Sequence, residues 1–254
     1  TKEGTDEVTE KPILSYSAQY SYKTPNEHAL EPMRADAHRE FIRDVHWRDG
    51  YLPPDYTEKD PEFNPKNYLR TLSVADGFEA GVDPGWYDRF TSDGYLNNHN
   101  LSIRGKSEKL SYFASAGYTD EQGYRYNDKY SKYNFRVNLD FEINDWMSIG
   151  LKSFLTNSDY SGYEINLFTL MPYSPIYETP GDPDSGYRLV TGHNQLNPYL
   201  SKQRDDSDKR LNLRANPTLD IDFPFIQGLT YRMSYTNSYR DRKHYHFNEY
   251  GGSG

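Results

Sequence analysis

A long alternation of apolar and polar residues between positions 133 and 156 restricts this chain more than any other feature of its sequence. From Tyr133 to Ile143 every second residue is apolar or aromatic, with polar or charged residues between them. After the short polar turn 144–146 the alternation resumes as far as Thr156. Successive side chains of a strand point to opposite faces, so this stretch predicts a β-hairpin with one apolar and one polar face.

The same two-sided pattern recurs along the chain and predicts about seven strands. Their expected ranges are 13–23, 98–105, 110–121, 130–143, 147–157, 208–223 and 229–240. Pro217 stands on the apolar side of the sixth strand. Because proline has no backbone N–H, we expect a bulge or a local break there.

The connections between these strands differ greatly in length. The longest are 24–97 and 162–207, and they follow the first and fifth strands, whereas short turns follow the second, fourth and sixth. Within the first long loop, Pro32 precedes apolar residues four positions apart, from Met33 to Val45, which predicts one short helix. Short turns at one end of a sheet and long loops at the other are typical of outer-membrane β-barrels.

Strand length and composition agree with that interpretation. Both arms of the hairpin reach the roughly 9 to 11 residues that a tilted transmembrane strand needs. Only 35% of the residues are apolar, and no apolar run is long enough for a membrane helix. A barrel tolerates this composition because only alternate strand residues contact lipid. A soluble sandwich would also show alternation, so the pattern alone leaves both folds open.

Charge and residue usage exclude several classes of function. The net charge of −9 argues against a nucleic-acid partner, and the absence of cysteine excludes disulfides and thiolate sites. The first residues lack the apolar core of a signal peptide, so the protein is either cytoplasmic or starts partway into something longer. An odd number of strands with two open edges favours the second, and we expect the chain to be part of a longer barrel.

In such a barrel the apolar side of each strand contacts lipid and the polar side lines the lumen. The residues expected to face lipid are Phe135, Val137, Leu139, Phe141, Ile149, Leu151, Leu213, Leu219 and Met233. The residues expected to face the lumen are Asn134, Arg136, Asn138, Asp140, Lys152, Arg214 and Arg232.

Motifs for catalysis, cofactors or metals are weak. No carboxylate pair is placed by a motif for acid and base chemistry, and no nucleophile elbow occurs, so we expect neither an enzyme nor a cofactor. His244 and His246 would share one face of a strand, but the sequence shows no third ligand. Asp182 and Asp184 lack the spacing of a calcium loop and predict an exposed turn. We therefore expect no metal site.

Aromatic residues in the long loops are the candidates for substrate binding. They are Trp47, Tyr51, Trp86, Tyr87, Tyr173 and Tyr177. Stacking on a sugar and packing within the loops are equally compatible with the sequence.

Four segments carry a resemblance to a known family. They read NHNLSIRGKSEK at 98–109, YFASAGY at 112–118, DEQG at 120–123 and YSKYNFRVNL at 130–139. With these segments the chain resembles the SusC/RagA family of TonB-dependent outer-membrane transporters of Bacteroidetes. The clear match covers roughly residues 95–160, and Thr1–Gly4 is similar to the end of the family's plug domain.

The resemblance implies an all-β fold, part of a large antiparallel transmembrane β-barrel. About seven strands of a plugged barrel of about 22 strands would be present, with long extracellular loops and one short loop helix. Residues 1–11 would end the plug and 12–254 would form the partial barrel.

The implied function is uptake of oligosaccharides or peptides across the bacterial outer membrane. The implied partners are a SusD-like lipoprotein, outer-membrane lipid, and TonB through an N-terminal part that these residues lack. The alternative is a soluble or surface-attached all-β module that binds glycans with its tyrosines.

Overall fold

One antiparallel sheet organises the chain. The computed structural model describes residues 11–25, 32–69, 74–162, 165–167, 170–191, 196–202 and 204–248. The strands are β1 (Ile13–Lys23), β2 (Gly94–Lys106), β3 (Leu110–Gln122), β4 (Lys129–Asn144), β5 (Met147–Asp159), β6 (Arg204–Asp222), β7 (Thr230–Ser234) and β8 (Asn237–Asn248). The prediction of an all-β antiparallel fold is confirmed. The expected plug end at 1–11 lies, apart from its last residue, outside the described residues.

Each strand from β1 to β6 pairs with the next one along the chain, and β8 pairs with β6 beside β7. The connections therefore alternate between the two ends of the sheet. Connections 24–93, 123–128 and 160–203 lie at one end, here called the long-loop end. Connections 107–109, 145–146 and 223–229 lie at the other, here called the short-turn end. The sorting of loops inferred from the sequence is thus a property of the sheet itself.

Several strands are longer than their sequence pattern indicates. β2 begins at Gly94, β6 begins at Arg204, and β8 runs on to Asn248. The added residues carry no clear alternation, yet each one is paired with a neighbouring strand. Pairing of the backbone, rather than side-chain pattern, extends these strands towards the long-loop end.

The two faces of the sheet differ as the alternation predicts. Phe141 stands opposite Ile149, which stands opposite Leu219, and Met233 completes this row on β7. Leu139 is likewise opposite Leu151. The side chains of this apolar face are exposed or only half-buried, and no second layer among the described residues covers them. The sheet has an apolar face that this chain leaves uncovered.

Pro217 interrupts the sheet without shifting its register. It lies opposite Leu151 on one side, and on the other side its carbonyl oxygen accepts a hydrogen bond of 3.0 Å from the backbone N–H of Tyr235. The reciprocal bond is missing because proline has no N–H. The bulge or break expected in the sixth strand is absent, because β6 runs from Arg204 to Asp222 and keeps its register with β5. The missing donor coincides instead with the gap between β7 and β8, and the pairing on both sides of that gap stays in step.

Short helices stand in the loops at the long-loop end. They are α1 (Ala35–Val45), α2 (Trp47–Gly50), α3 (Ala75–Glu79), α4 (Trp86–Phe90) and α5 (Pro198–Ser201), with 3-10 turns at Pro65–Tyr68 and Pro183–Ser185. The sequence analysis predicted α1 but not the others. Three of these elements begin with Asn or Asp followed by proline, and the side chains of Asn64, Asp182 and Asn197 each accept a backbone N–H two residues on. Among the described residues, the helices are too short and too polar to cross a membrane.

The hydrophobic core of the described chain lies in its loops. The buried apolar residues are Ala35, Ile42, Val74, Trp86, Phe90, Ile165, Leu167, Leu170 and Tyr173. They come from the connection between β1 and β2 and from the connection between β5 and β6, which pack together. We call the described residues within 32–93 and 160–202 the loop layer.

Replacing Pro217 with valine should restore the missing ladder bond. The new N–H can donate to the carbonyl of Tyr235, which adds about 0.5 to 1.5 kcal/mol locally. Hydrogen exchange measured by mass spectrometry on the full-length protein should slow around residues 235–238. Ala215→Val is the matched control, because it adds the same side chain on the same strand at a position that already has its donor. Unchanged exchange in Pro217→Val would contradict this account of the break.

Candidate functional site: the polar face and the loop layer

Basic side chains gather on the polar face of the sheet near its centre. The strand register places Arg136 opposite Phe154 and Phe154 opposite Arg214, while Asn138 faces Lys152 in the next row. These residues, with Asn216, line an open recess of about 470 Å³. The guanidinium of Arg136 lies 5.8 Å from the ring centre of Phe154. The recess therefore combines three cations with one aromatic ring.

A second recess of about 560 Å³ adjoins the first towards the long-loop end. It shares Arg214 and adds Lys132 and Arg240, together with the rings of Tyr130 and Tyr160. Acidic residues lie elsewhere on this face: Asp220 pairs with Arg232 near the short-turn end. The centre of the face is thus basic although the whole chain carries a net charge of −9. Guanidinium and ammonium groups in such a row suit ligands that carry carboxylates or other anions.

The structure brings most of the predicted lumen-facing residues to one place. Arg136, Asn138, Lys152 and Arg214 line the same recess. Asn134 and Asp140 flank them on β4, and Arg232 lies on the outer strand β7, all on the polar face. The role of this face in lining a lumen remains a prediction.

The loop layer is held by polar contacts between the two long loops as well as by its core. The indole Nε1 of Trp86 donates to the carbonyl oxygen of Ser174 at 3.2 Å. Arg188 Nη1 donates to both carboxylate oxygens of Asp76, at 2.8 and 3.0 Å. Gly77 lies so close to the Tyr173 carbonyl that a Cβ atom there would stand 2.2 Å from its oxygen. A glycine is required at this crossing of the two loops.

Two of the six aromatic residues predicted to bind substrate are core residues instead. Trp86 is 5% exposed and Tyr173 is 1% exposed, so neither ring offers a face to a sugar. Burial also raises the pKa of Tyr173 to about 12. The sequence left packing and stacking equally open, and for these two residues the structure favours packing, because they join loops that are far apart in the chain.

The other four aromatic residues are more accessible. Trp47 is exposed and meets Tyr56 edge-on at 4.9 Å, and Tyr51 donates its hydroxyl to Asp44. Tyr87 is half-buried beside the core of the loop layer. Tyr177 stacks on Tyr187 at 5.7 Å. Their role in binding substrate remains a prediction.

Sequence reasoning missed a stack of tyrosines in the second long loop. Tyr187 lies between Tyr177 and Tyr199, and its ring is parallel to that of Tyr199 at 5.0 Å. The ammonium of Lys202 lies 5.0 Å from the Tyr199 ring and 4.8 Å from Phe90. The spacing of these residues carries no periodic signal, so only the folded loop reveals the stack.

Helix α1 buries a different side from the one its sequence predicts. Met33, Ala37, Phe41 and Val45 form the predicted apolar stripe, yet all four are exposed. The helix packs through Ala35 and Ile42. Phe41 and Val45 instead border an open recess of about 400 Å³ that also contains His38, where burial lowers the pKa of the imidazole. The stripe is therefore available for contact with another surface.

The turn at 180–186 behaves as predicted. The carboxylate of Asp182 accepts the backbone N–H of Asp184 and so caps its own 3-10 turn. Both residues are exposed. This arrangement is that of an Asx turn.

Replacing Trp86 with alanine should loosen the loop layer. Loss of a buried tryptophan costs roughly 3 to 5 kcal/mol, and the carbonyl of Ser174 also loses its donor. Limited proteolysis of the full-length protein should then cut faster within 74–90 and 170–191. Trp47→Ala is the control, since Trp47 is 46% exposed and should leave cleavage unchanged. Equal cleavage of the two variants would mean that Trp86 does not hold the loops together.

Comparison with known proteins identifies similar sequences and folds. No family model matches the chain. It is 31% identical over 120 residues to a curated relative named TonB-dependent receptor P26 from Formosa agariphila. The matched region covers 46% of this chain and 12% of the relative. The chain thus spans far less than two thirds of that relative's length.

The fold is similar to structures of the RagAB peptide importer. The closed-closed state matches with a TM-score of 0.56 at 18% identity, and the open-open state with 0.55 at 17%. Each match covers 93% of this chain and 29% of the importer chain. The fold of the sheet is thus that of part of a large antiparallel barrel, and the resemblance noted in the sequence agrees with the match to the curated relative.

Proposed function

The chain is SusC/RagA-like in sequence and fold, and we propose that it forms part of the barrel wall and external loops of an outer-membrane nutrient importer. The observation that carries this proposal is the sheet with one uncovered apolar face and one polar face. An apolar face of this size needs a cover, and lipid supplies it where the neighbouring strands close the sheet. Residues 1–11 would then end the plug and 12–254 would belong to the barrel.

The polar face would line the lumen and contact the cargo. Its central basic residues, Lys132, Arg136, Lys152, Arg214 and Arg240, favour molecules that carry negative charge. Peptides with acidic side chains and acidic oligosaccharides meet this condition, within the broader class of oligosaccharides or peptides. The exposed ring of Trp47 in the loop layer would meet such molecules first, by stacking.

The role we propose is transport rather than catalysis. Coupling to TonB would use parts of the longer protein outside these residues, while this segment supplies wall and loops. The alternative of a soluble glycan-binding module is favoured by the tyrosine stack at 177, 187 and 199. It gives no cover for the apolar face, so we prefer the importer.

A SusD-like lipoprotein is the partner that we propose for the loop layer. The exposed residues Phe41 and Val45 of α1, with Met33 just before the helix, offer it an apolar contact at the long-loop end. Exposed apolar groups that cluster on one side of a helix are typical of helix-mediated contacts. The partner would thus rest on the side of the helix that the loop layer leaves open.

An arginine at Leu139 should impair assembly of the full-length protein in the outer membrane. A charge on the lipid side costs about 2 to 4 kcal/mol near the midplane. Asn138→Arg is the matched control, because it lies at the same height on β4 but on the polar face. The amount of folded protein in outer-membrane fractions gives the measurement. Equal tolerance of the two substitutions would remove the barrel proposal and favour the soluble module.

Serine at Met33, Phe41 and Val45 together should weaken recovery of the lipoprotein with the importer. The substitutions remove apolar contact but leave the buried residues Ala35 and Ile42 in place. Co-purification of the lipoprotein with the full-length protein, scored by quantitative immunoblot, gives the measurement.

The control for this experiment lies at the opposite end of the sheet. Phe225 and Ile226 are exposed in the short turn 223–229, so serine at both removes apolar surface from the short-turn end. This control should leave recovery unchanged. If recovery of the lipoprotein with the α1 variant is unchanged, the lipoprotein does not bind through this side of the helix.

A further inference from the structure

Two strands bring one carboxylate and two imidazoles together near the long-loop end of the polar face. Asp206 on β6 stands directly opposite His246 on β8, and His244 lies two residues before it on the same face. Direct and diagonal neighbours on paired strands are within reach of one another's side chains. The sequence showed the two histidines but not a third ligand, because Asp206 is brought to them only by the strand register.

The three side chains converge on a single point. One ligand atom from each residue lies within 4.8 Å of the other two. His244 Nε2 is 3.6 Å from Asp206 Oδ1, and His246 Nδ1 contacts the same oxygen. Ligands of a tetrahedral zinc ion are roughly 3.3 Å apart, given metal–ligand bonds of about 2.0 to 2.1 Å. Small rotations of these side chains would place all three around one ion.

One oxygen of the buried Asp206 carboxylate, Oδ1, has no hydrogen bond although two ring nitrogens lie close to it. Its side chain is 9% exposed, and the buried atom Oδ1 makes no hydrogen bond of acceptable geometry. Buried carboxylate oxygens normally have a partner. Two ring nitrogens aimed at this one oxygen therefore outline a site for a cation rather than a completed network.

The carboxylate that stands directly opposite His244 is already neutralised by other groups. It belongs to Asp208, which binds Arg210 and Arg242 with distances of 2.6 to 3.1 Å. Those two guanidiniums are thus engaged by Asp208 rather than by Asp206. The imidazole rings of His244 and His246 lie 4.4 Å apart at a steep angle, which keeps both sets of ring nitrogens accessible.

We propose that Asp206, His244 and His246 bind a divalent transition-metal ion, Zn²⁺ in the first place. Two imidazoles and one carboxylate are a donor set that zinc accepts, with one coordination position left for water or an external ligand. Both histidines are partly exposed, so an ion can enter from the solvent side. The site does not depend on what the importer carries, since it is defined by side chains of β6 and β8 alone.

Zinc binding is tested on the full-length protein, purified in detergent, stripped with a chelator and dialysed against micromolar Zn²⁺. Elemental analysis should find one more bound Zn²⁺ per chain in the wild-type protein than in His244→Gln/His246→Gln. Co²⁺ gives an independent signature, because a site with these ligands should show visible absorption that the double variant loses. Asp206→Asn should weaken binding by more than about 10-fold, the lower bound for changes that only disturb a ligand's support.

Asp220→Asn is the matched control, since Asp220 lies on the same strand and face but pairs with Arg232. It should bind zinc as the wild-type protein does. The circular dichroism spectrum of each variant verifies that the barrel is folded. Equal zinc content and equal Co²⁺ absorption in the wild-type protein and a folded double variant would overturn the proposal.

Discussion

The uncovered apolar face of the sheet is the constraint on which the rest of this structure depends. Rows such as Phe141, Ile149 and Leu219 bury little surface within the chain. The described chain instead forms its buried core in the loops, around Trp86 and Tyr173. The apolar face of such a sheet needs a cover from outside the described chain. The loops form a separately packed layer at the long-loop end of the sheet.

The two faces of the sheet could be predicted because successive side chains of a strand point to opposite faces. Leu139 and Asn138 are assigned to opposite faces by position alone, and pairing in the structure keeps them there. Strand ends were harder, since 204–207 at the start of β6 is polar throughout and is ordered by its partner β8. The alternation of apolar and polar residues therefore predicts which face a side chain lies on, whereas pairing with neighbouring strands determines how long each strand is.

The loops and the cation site could not be read in the same way. The apolar stripe of α1 predicts a buried side, yet the loop layer packs on Ala35 and Ile42, because the surface that it meets comes from a distant part of the chain. Trp86 reaches Ser174 across a similar distance in sequence. Asp206 and His246 meet only once the register of two strands is known. Each of these contacts joins residues that are far apart in the sequence, so no local sequence pattern predicts it.

The contacts between the two long loops have a mechanical consequence. Trp86 to Ser174 and Asp76 to Arg188 tie together segments rooted in different hairpins, and Gly77 leaves no gap where they cross. Displacing either loop would therefore break the buried indole hydrogen bond and the ion pair or carry the other loop with it, and this couples the β1–β2 connection to the β5–β6 connection.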